Sequence, residues 1–323
     1  MPPANPAASE RYPISGWIEA ALFVFVIGLL SVTYVVGNQL GAHPIAFVLY
    51  AMAVSAAVLL TVTGPGPDAI AIILTPQSWL IGLGIINMEV FYYLLLQHVP
   101  PADGSVLLRL TIPVALLVGW GLFARRPRPM TLLGGSIICV GVAPVLATLD
   151  PRHSAATVIA VAGCTFAFVL RTFAAEFHPW NRAARTIPEK LRITGLVVLA
   201  TSAASLLLAG SAASLIALGV LPPTTLVPTP AQMLHVPTIL LGALVGSAIL
   251  TAMSFLSFSC VVKITSENFA ACTAFTPVAA LIVQLAAGLL GLIPLFPVDP
   301  LLLAAIAIVI AGVFLILYGA RRG

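Results

Sequence analysis

Charged residues are scarce in this sequence. Asp, Glu, Lys and Arg together make up 7% of its 323 residues, whereas a soluble domain usually carries about 25%. Hydrophobic residues make up 60%, and the mean hydropathy is +1.13. A fold with so few charges cannot cover its surface in water, so most of that surface must face lipid. A soluble globular protein is therefore excluded, and the net charge of +4 gives no reason to expect a nucleic-acid partner.

Motifs of catalysis, metal binding and nucleotide hydrolysis are also missing. The chain has no CxxC pair, His cluster, HExxH, G-x-S-x-G or P-loop, so we expect no metal, no cofactor and no ATP hydrolysis. The chain is not expected to be an enzyme, and an intramembrane enzyme remains an alternative without a supporting motif. The four cysteines lie in apolar runs, which predicts small buried side chains rather than disulfides: Cys139, Cys164, Cys260 and Cys272.

Long apolar runs dominate what is present. A helix needs about 20 apolar residues to cross a bilayer, and barrel strands are about ten residues of alternating polarity. The runs here are long and continuously apolar, so the sequence predicts an all-α membrane protein with ten transmembrane helices. They cover roughly 14–37, 44–62, 79–98, 104–123, 131–149, 155–177, 193–220, 238–262, 268–292 and 300–319.

The positions of Lys and Arg predict the orientation. With residues 1–13 as a cytoplasmic tail, eleven of the fourteen basic residues fall on the inner side and one, Arg152, on the outer side. An excess of Lys and Arg is typical of cytoplasmic loops. Both ends of the chain are therefore expected in the cytoplasm. The short tails and loops indicate a bacterial inner membrane.

Two pairs of segments resemble each other: 103–121 with 267–285, and 132–142 with 303–313. In the first pair, each segment opens with an acid and carries Pro-Val-Ala ten residues later. The second pair ends in Gly-Val in both copies. The acids and prolines that align are Asp103 with Glu267 and Pro113 with Pro277.

Ten spans divided into two similar halves give five spans to each half. Because five is odd, the second half enters the membrane from the opposite side, which makes an inverted repeat of the kind that many secondary transporters use. The predicted halves are residues 14–150 and 151–323.

The chain resembles EamA-type permeases of the drug/metabolite transporter superfamily. The resemblance is carried by LTIPVALL (110–117) with LLGGSIICVGV (132–142), and by AFTPVAAL (274–281) with LAAIAIVIAGV (303–313). The chain departs from the family where its fourth and ninth helices end in GLFARR and GLLGLIP instead of Gly-Glu. It departs again at Tyr50, where family members often carry an Arg early in the second helix.

The resemblance implies two five-helix bundles around a central cavity, with alternating access by rocking of one bundle against the other. The first four helices of each half would line the cavity, and the fifth and tenth would lie at its periphery. The implied function is secondary transport, as an exporter, of a small metabolite such as an amino acid or related zwitterion or anion, or of a drug. A flippase for a lipid or lipid-linked sugar is an alternative. The expected partners are the solute and the bilayer, and a homodimer is compatible with this reading.

Ionisable side chains inside the bilayer cost roughly 2.5–3.5 kcal/mol each on insertion scales and usually face a cavity or a partner. Glu89 lies in the middle of the third predicted span, and Tyr92 and Tyr93 lie close to its helical angle. It is the candidate proton-coupling carboxylate, with a structural salt bridge or hydrogen bond as the alternative. Arg109, early in the fourth span, lies at a similar depth and is predicted to pair with Glu89 directly or through substrate.

Three further candidates lie in the first and sixth spans. Arg171 is a candidate contact for a substrate carboxylate or phosphate, although its position near the cytoplasmic end also allows it to reach headgroups. Tyr34 and Asn38 are four residues apart on the first helix, and they are predicted to close the outer end of the cavity.

The repeat alignment gives the remaining candidates. Thr273 and Gln284 align with Arg109 and Trp120, so all four side chains are predicted to line one cavity. The aligned prolines are predicted helix kinks that free backbone carbonyls: Pro113 and Pro277.

Overall fold

The computed structural model describes residues 14–257, 259 and 272–321, and the described chain is helical throughout, without strands. The helices are α1 (Ile14–Gln39), α2 (Pro44–Thr63), α3 (Ala69–Leu74), α4 (Pro76–Leu95), α5 (Pro101–Leu107), α6 (Thr111–Phe123), α7 (Pro129–Ala147), α8 (Ser154–Phe177), α9 (Pro179–Ala183), α10 (Ile187–Ala217), α11 (Pro230–Met233), α12 (Val236–Leu244), α13 (251–257), α14 (Thr276–Leu289) and α15 (Pro300–Arg321). A 3-10 turn, Leu108–Leu110, joins α5 to α6, and a π-helical turn, Val245–Leu250, joins α12 to α13.

Nine helical segments of the described chain are long and apolar enough to cross a membrane. They are α1, α2, α4, α5–α6, α7, α8, α10, α11–α13 and α15. The ninth predicted span, 268–292, is described only from residue 272, and its helix α14 has 14 residues. The predicted tail 1–13 and the repeat residue Glu267 lie outside the described residues. The protein is therefore a multi-pass membrane protein of the all-α class.

Four long-range helix pairs build the interior. Helix α4 packs against α8, α2 against α10, α1 against α14 and α7 against α15. Three large, fully buried side chains from α1, α2 and α4 pack against one another in the interior: Tyr34, Phe47 and Tyr93. Lipid is as apolar as a leucine side chain, so close packing and hydrogen bonds, rather than hydrophobic burial, hold such helices together.

The contact between α7 and α15 depends on glycine. A Cβ on Gly312 would lie 2.7 Å from the carbonyl oxygen of Gly134, and a Cβ on Gly134 would be driven into the carbonyl oxygen of Gly312. At one end of the pair Gly319 lies against Met130, and at the other Gly141 lies against Val309. Since residue numbers rise along α7 as they fall along α15, the two helices are antiparallel.

The segments 178–192 and 221–237, which separate predicted spans, are not loops throughout. Both contain helix. Helix α10 begins at Ile187 rather than at 193. There Thr186 and Glu189 form a capping box that satisfies the first amides of the helix. Helix α11 begins in the same way, with Thr229 and Gln232. These capping residues are polar, so hydropathy alone assigns them to the loop.

A buried histidine ties α4 to the segment that follows α8. The Oγ of Ser78 donates to the carbonyl of Ile72 (2.5 Å), so it accepts from Nε2 of His178 at 2.8 Å. The backbone N–H of Asn181 donates to Nδ1 of the same ring at 3.2 Å. Both contacts require the neutral imidazole with its proton on Nε2. Burial lowers the pKa of His178 below its ordinary value of 6.5.

This histidine predicts a pH-dependent stability. Below pH 6.5 the unfolded chain binds a proton at His178 that the folded chain resists. The free energy of unfolding should therefore be flat above that pH and fall as the pH decreases through it. Thermal unfolding of the detergent-purified protein between pH 5 and 8 measures this. His178→Gln should remove part of the dependence. Equal profiles for the wild type and His178→Gln would contradict the prediction.

Candidate functional site

A buried carboxylate lies at the centre of the described structure. Glu89, on α4, is 3% exposed. The Oη of Tyr34, on α1, donates a 2.6 Å hydrogen bond to its Oε2. A carboxylate removed from water requires such a partner, because an unsatisfied buried charge is costly. The sequence placed both residues in the site but did not pair them.

Aromatic rings surround this hydrogen bond. The ring of Tyr34 packs edge-on to Tyr92, with centroids 5.8 Å apart, and lies 4.9 Å from the ring of Tyr93. The hydroxyl of Tyr92 is 3.5 Å from Oγ of Ser105, and that of Tyr93 donates to the carbonyl of Ala42 at 3.4 Å. The three rings therefore pack together beside the carboxylate, and the hydroxyls of Tyr92 and Tyr93 contact α5 and the residue two positions before α2.

Proline interrupts helices on both sides of the site. Pro113 and Pro277 have no N–H to donate to the residues four positions earlier, which are Arg109 and Thr273. The chain forms the 3-10 turn Leu108–Leu110 before Pro113 and a turn at residues 274–275 before Pro277. Each break leaves a backbone carbonyl without its helical donor.

Arg109 uses one of these carbonyls. Its Nη1 donates to the carbonyl of Thr273 at 2.9 Å, and its Nε donates to the carbonyl of Ser105 at 3.1 Å. Thr276 also donates to the Thr273 carbonyl, through Oγ1 at 2.7 Å. The arginine thus joins the 3-10 turn to the start of α14. The direct pair with Glu89 is not formed, because within the described residues no ion pair within 4 Å reaches Glu89.

Arg171 is the positive charge that interacts with Glu89. Its guanidinium carbon lies 5.2 Å from the centroid of the Phe168 ring, one turn earlier on α8. Glu176, further along α8, forms a bidentate ion pair with Arg125 beyond the end of α6. Within the described residues Arg171 therefore forms no ion pair with the acid at the end of its own helix.

Cys164 belongs to the site although the sequence assigned it only a packing role. Its Sγ donates to the carbonyl of Met88 at 3.5 Å, and Met88 directly precedes Glu89 on α4. Seven residues separate it from Arg171, so both lie on one face of α8. That spacing was the signal in the sequence that could have found it.

Of the remaining predicted residues, two form hydrogen bonds to other segments and one is exposed. Oε1 of Gln284 accepts a 2.9 Å hydrogen bond from the backbone N–H of Ala102, in the first turn of α5. Oδ1 of Asn38 accepts from Nε2 of Gln97 at 3.2 Å, which joins the ends of α1 and α4. Trp120 is 46% exposed. The structure therefore brings most of the predicted residues into contacts between helices, and it leaves Trp120 on the exposed face of α6.

Comparison with known proteins adds the fold and no activity. No protein-family model matches the sequence, and no curated protein matches it at a significant level. One crystal structure of another protein is similar, with a TM-score of 0.58 and 18% sequence identity over 96% of this chain and 99% of that one. At this identity the likeness extends to the fold alone, and it covers nearly the whole of both chains.

Proposed function

We propose that the protein is a secondary transporter of the EamA type that exports a small metabolite by alternating access. In this proposal ten spans form two inverted five-helix halves, residues 14–150 and 151–323. The observation that carries it is the hydrogen bond from Arg109 to the carbonyl of Thr273. It joins the two halves at membrane depth, beside a buried polar cluster.

The repeat alignment supports the inverted arrangement. Arg109 and Thr273 each follow the acid of their segment by six residues, so they are equivalent positions, and they touch. Equivalent positions of two halves meet where a two-fold axis passes between them. The prolines four residues later interrupt the helix in both places, and discontinuous helices at the repeat interface are typical of transporter binding sites.

Helices α7 and α15 support the same axis. The alignment of 132–142 with 303–313 makes Gly141 equivalent to Gly312 and Ile138 equivalent to Val309. Gly141 lies against Val309, and Gly312 lies against Ile138. These two contacts exchange under the repeat, as a two-fold axis requires, and the antiparallel directions of the helices agree with opposite senses of threading.

The buried polar cluster supports transport. Glu89, Arg109 and Arg171 lie within spans, where ionisable groups are expensive and usually serve a solute or ion path. Glu89 is the proposed proton carrier, because its carboxylate can gain a proton in place and its Tyr34 contact can persist in either form. Gln284, Asn38 and their partners would then close the outer end of the path.

A flippase is a second candidate because of one feature of the surface. A groove of about 570 Å³ runs between α4 and α8 and is lined by apolar side chains, among them Leu83, Phe91 and Phe166. An acyl chain fits such a surface. An intramembrane enzyme, the third possibility, would release a chemically changed product.

Flux measured in proteoliposomes tests the proposal. Purified protein should move a solute from a panel of labelled amino acids and organic anions, and mass spectrometry should recover that solute unchanged. Protein-free liposomes give the leak rate. A changed product would establish an enzyme, and movement of a fluorescent phospholipid without solute flux would establish a flippase. Absence of all three activities would contradict the proposal.

Topology gives a separate prediction. Ten spans place the N- and C-termini on the same, cytoplasmic side. A fluorescent protein fused at either end should therefore be bright, and alkaline phosphatase fused there should be inactive. Phosphatase fused after Arg152, in the predicted outer loop, should be active and serves as the positive control. Opposite results at the two termini would require an odd number of spans and would exclude the ten-span arrangement.

A further inference from the structure

Arg171, the second arginine of the site, forms no ion pair within the described residues. Arg171 interacts with the charge of Glu89, yet no carboxylate of the described residues lies within 4 Å of its guanidinium. None of the hydrogen bonds within the described chain uses its guanidinium either, and its neighbour there is the face of the Phe168 ring. A guanidinium carries five donors, and no hydrogen bond from the described part of the chain occupies them.

Arg109 is different because two of its donors are already used. It bonds the carbonyls of Ser105 and Thr273 and thereby holds α5 to the start of α14. Glu89 is also occupied, as the acceptor of the Tyr34 hydroxyl. The cluster therefore holds two arginines and one acid, and among its described residues Arg171 is the arginine whose guanidinium makes no hydrogen bond.

We propose that the guanidinium of Arg171 binds a carboxylate or phosphate group of the transported molecule. This inference rests on the proposed transport function and narrows its substrate to an anion or a zwitterion. The planar guanidinium matches both groups with two parallel hydrogen bonds. Low dielectric at membrane depth strengthens that attraction and makes the unpaired charge costly without a ligand.

The anionic group could come from a soluble metabolite or from a lipid headgroup. Gly84 lies directly against the Cβ of Arg171, and it also lines the apolar groove between α4 and α8. An acyl chain in that groove would bring a lipid phosphate close to the same arginine. The shared chemistry is one anionic group on Arg171, and separate probes distinguish its source.

Thermal unfolding of the detergent-purified protein tests the inference. The anionic probes are succinate and inorganic phosphate, succinamide and putrescine are the neutral and cationic controls, and dioleoylphosphatidic acid in mixed micelles is the lipid arm. At least one anionic probe should raise the melting temperature. Arg171→Gln should weaken its apparent affinity at least about tenfold, the loss expected for charge-assisted hydrogen bonds, and Arg171→Lys should weaken it less. Arg125→Gln, at the exposed ion pair with Glu176, is the matched control and should bind as the wild type does.

Protection by succinate or phosphate identifies a soluble substrate, and protection by the lipid alone identifies a headgroup. Equal protection of the wild type and Arg171→Gln would overturn the inference, as would protection by putrescine or succinamide alone. If Arg171→Gln does not fold, phenylglyoxal labelling of the wild type replaces it. The anion should then shield Arg171, but not Arg125, from modification, and unshielded Arg171 would overturn the inference.

Flux measurements distinguish the anion site at Arg171 from transport itself, the proposed function on which that site rests. Solute flux in proteoliposomes with the same anion preference in the wild type and Arg171→Gln would overturn the anion site and leave transport standing. Binding that depends on Arg171, without flux of any solute, would overturn transport and leave the site standing.

Discussion

Glu89→Gln should abolish solute accumulation driven by a pH gradient. A gradient of one pH unit supplies about 1.4 kcal/mol for each coupled proton, which is enough for about tenfold accumulation of a solute moved with one proton. The variant cannot titrate, so its accumulation ratio should fall to one. Its side-chain oxygen can still accept the hydrogen bond from Tyr34. Downhill exchange of the solute should therefore persist. Radiolabelled solute in proteoliposomes with an imposed pH step measures both quantities.

Glu176→Gln is the matched control for this prediction. It makes the same chemical change at an exposed position that is paired with Arg125, and it should accumulate solute as the wild type does. A Glu89→Gln protein that still concentrates its solute tenfold would remove Glu89 from the coupling step. Loss of downhill exchange as well as of accumulation would instead indicate that the carboxylate binds the solute directly.

The spans were predictable because hydropathy reports directly on contact with lipid. The predicted ends of α1, α2, α7 and α8 lie close to the observed ones. The start of α10 was not predictable from hydropathy, because its capping box is made of polar residues that a transfer scale assigns to water. The π-helical turn Val245–Leu250 was missed for a related reason: it changes the hydrogen-bond pattern of the backbone without changing the composition of the span.

The sequence identifies the ionisable side chains within the spans, but it does not predict how they pair. Counting residues along α4 and α5 placed Glu89 and Arg109 at similar depths. Whether two side chains meet also depends on the rotation of each helix, which packing sets. Tyr34 therefore bonds to Glu89, where Arg109 was the predicted partner. Arg109 instead donates to the backbone carbonyl of Thr273. A pattern of side chains in the sequence does not predict a backbone partner.

The contact between α7 and α15 makes the free energy of unfolding sensitive to the side chain at position 134. Gly134→Leu should strongly destabilise the protein, because its Cβ would enter the space of the Gly312 backbone. Overpacking usually costs about 1–3 kcal/mol. Here the opposing atoms belong to a helix backbone, so we expect the upper end of that range or loss of the folded protein. Gly210→Leu is the matched control. Gly210 lies inside α10 with open space beside it, so leucine should be neutral or stabilising by up to about 1 kcal/mol through its higher helix propensity. Unfolding in mixed micelles with increasing dodecyl sulfate measures these differences.

Double variants test whether Gly134 and Gly312 meet, as the packing of α7 against α15 requires. Once leucine at 134 has pushed α15 away, Gly312→Leu should cost less than it does alone, because residues in contact are not additive. Gly246 provides the comparison, since its Cβ would instead meet the backbone of Ala51 on α2. Gly134→Leu and Gly246→Leu should therefore add. To keep the variants folded and measurable, alanine replaces leucine at any position where the single variant cannot be purified. Additive costs at 134 and 312 would mean that these two helices do not pack against each other, and the two-fold axis between the halves would lose one of its two supports.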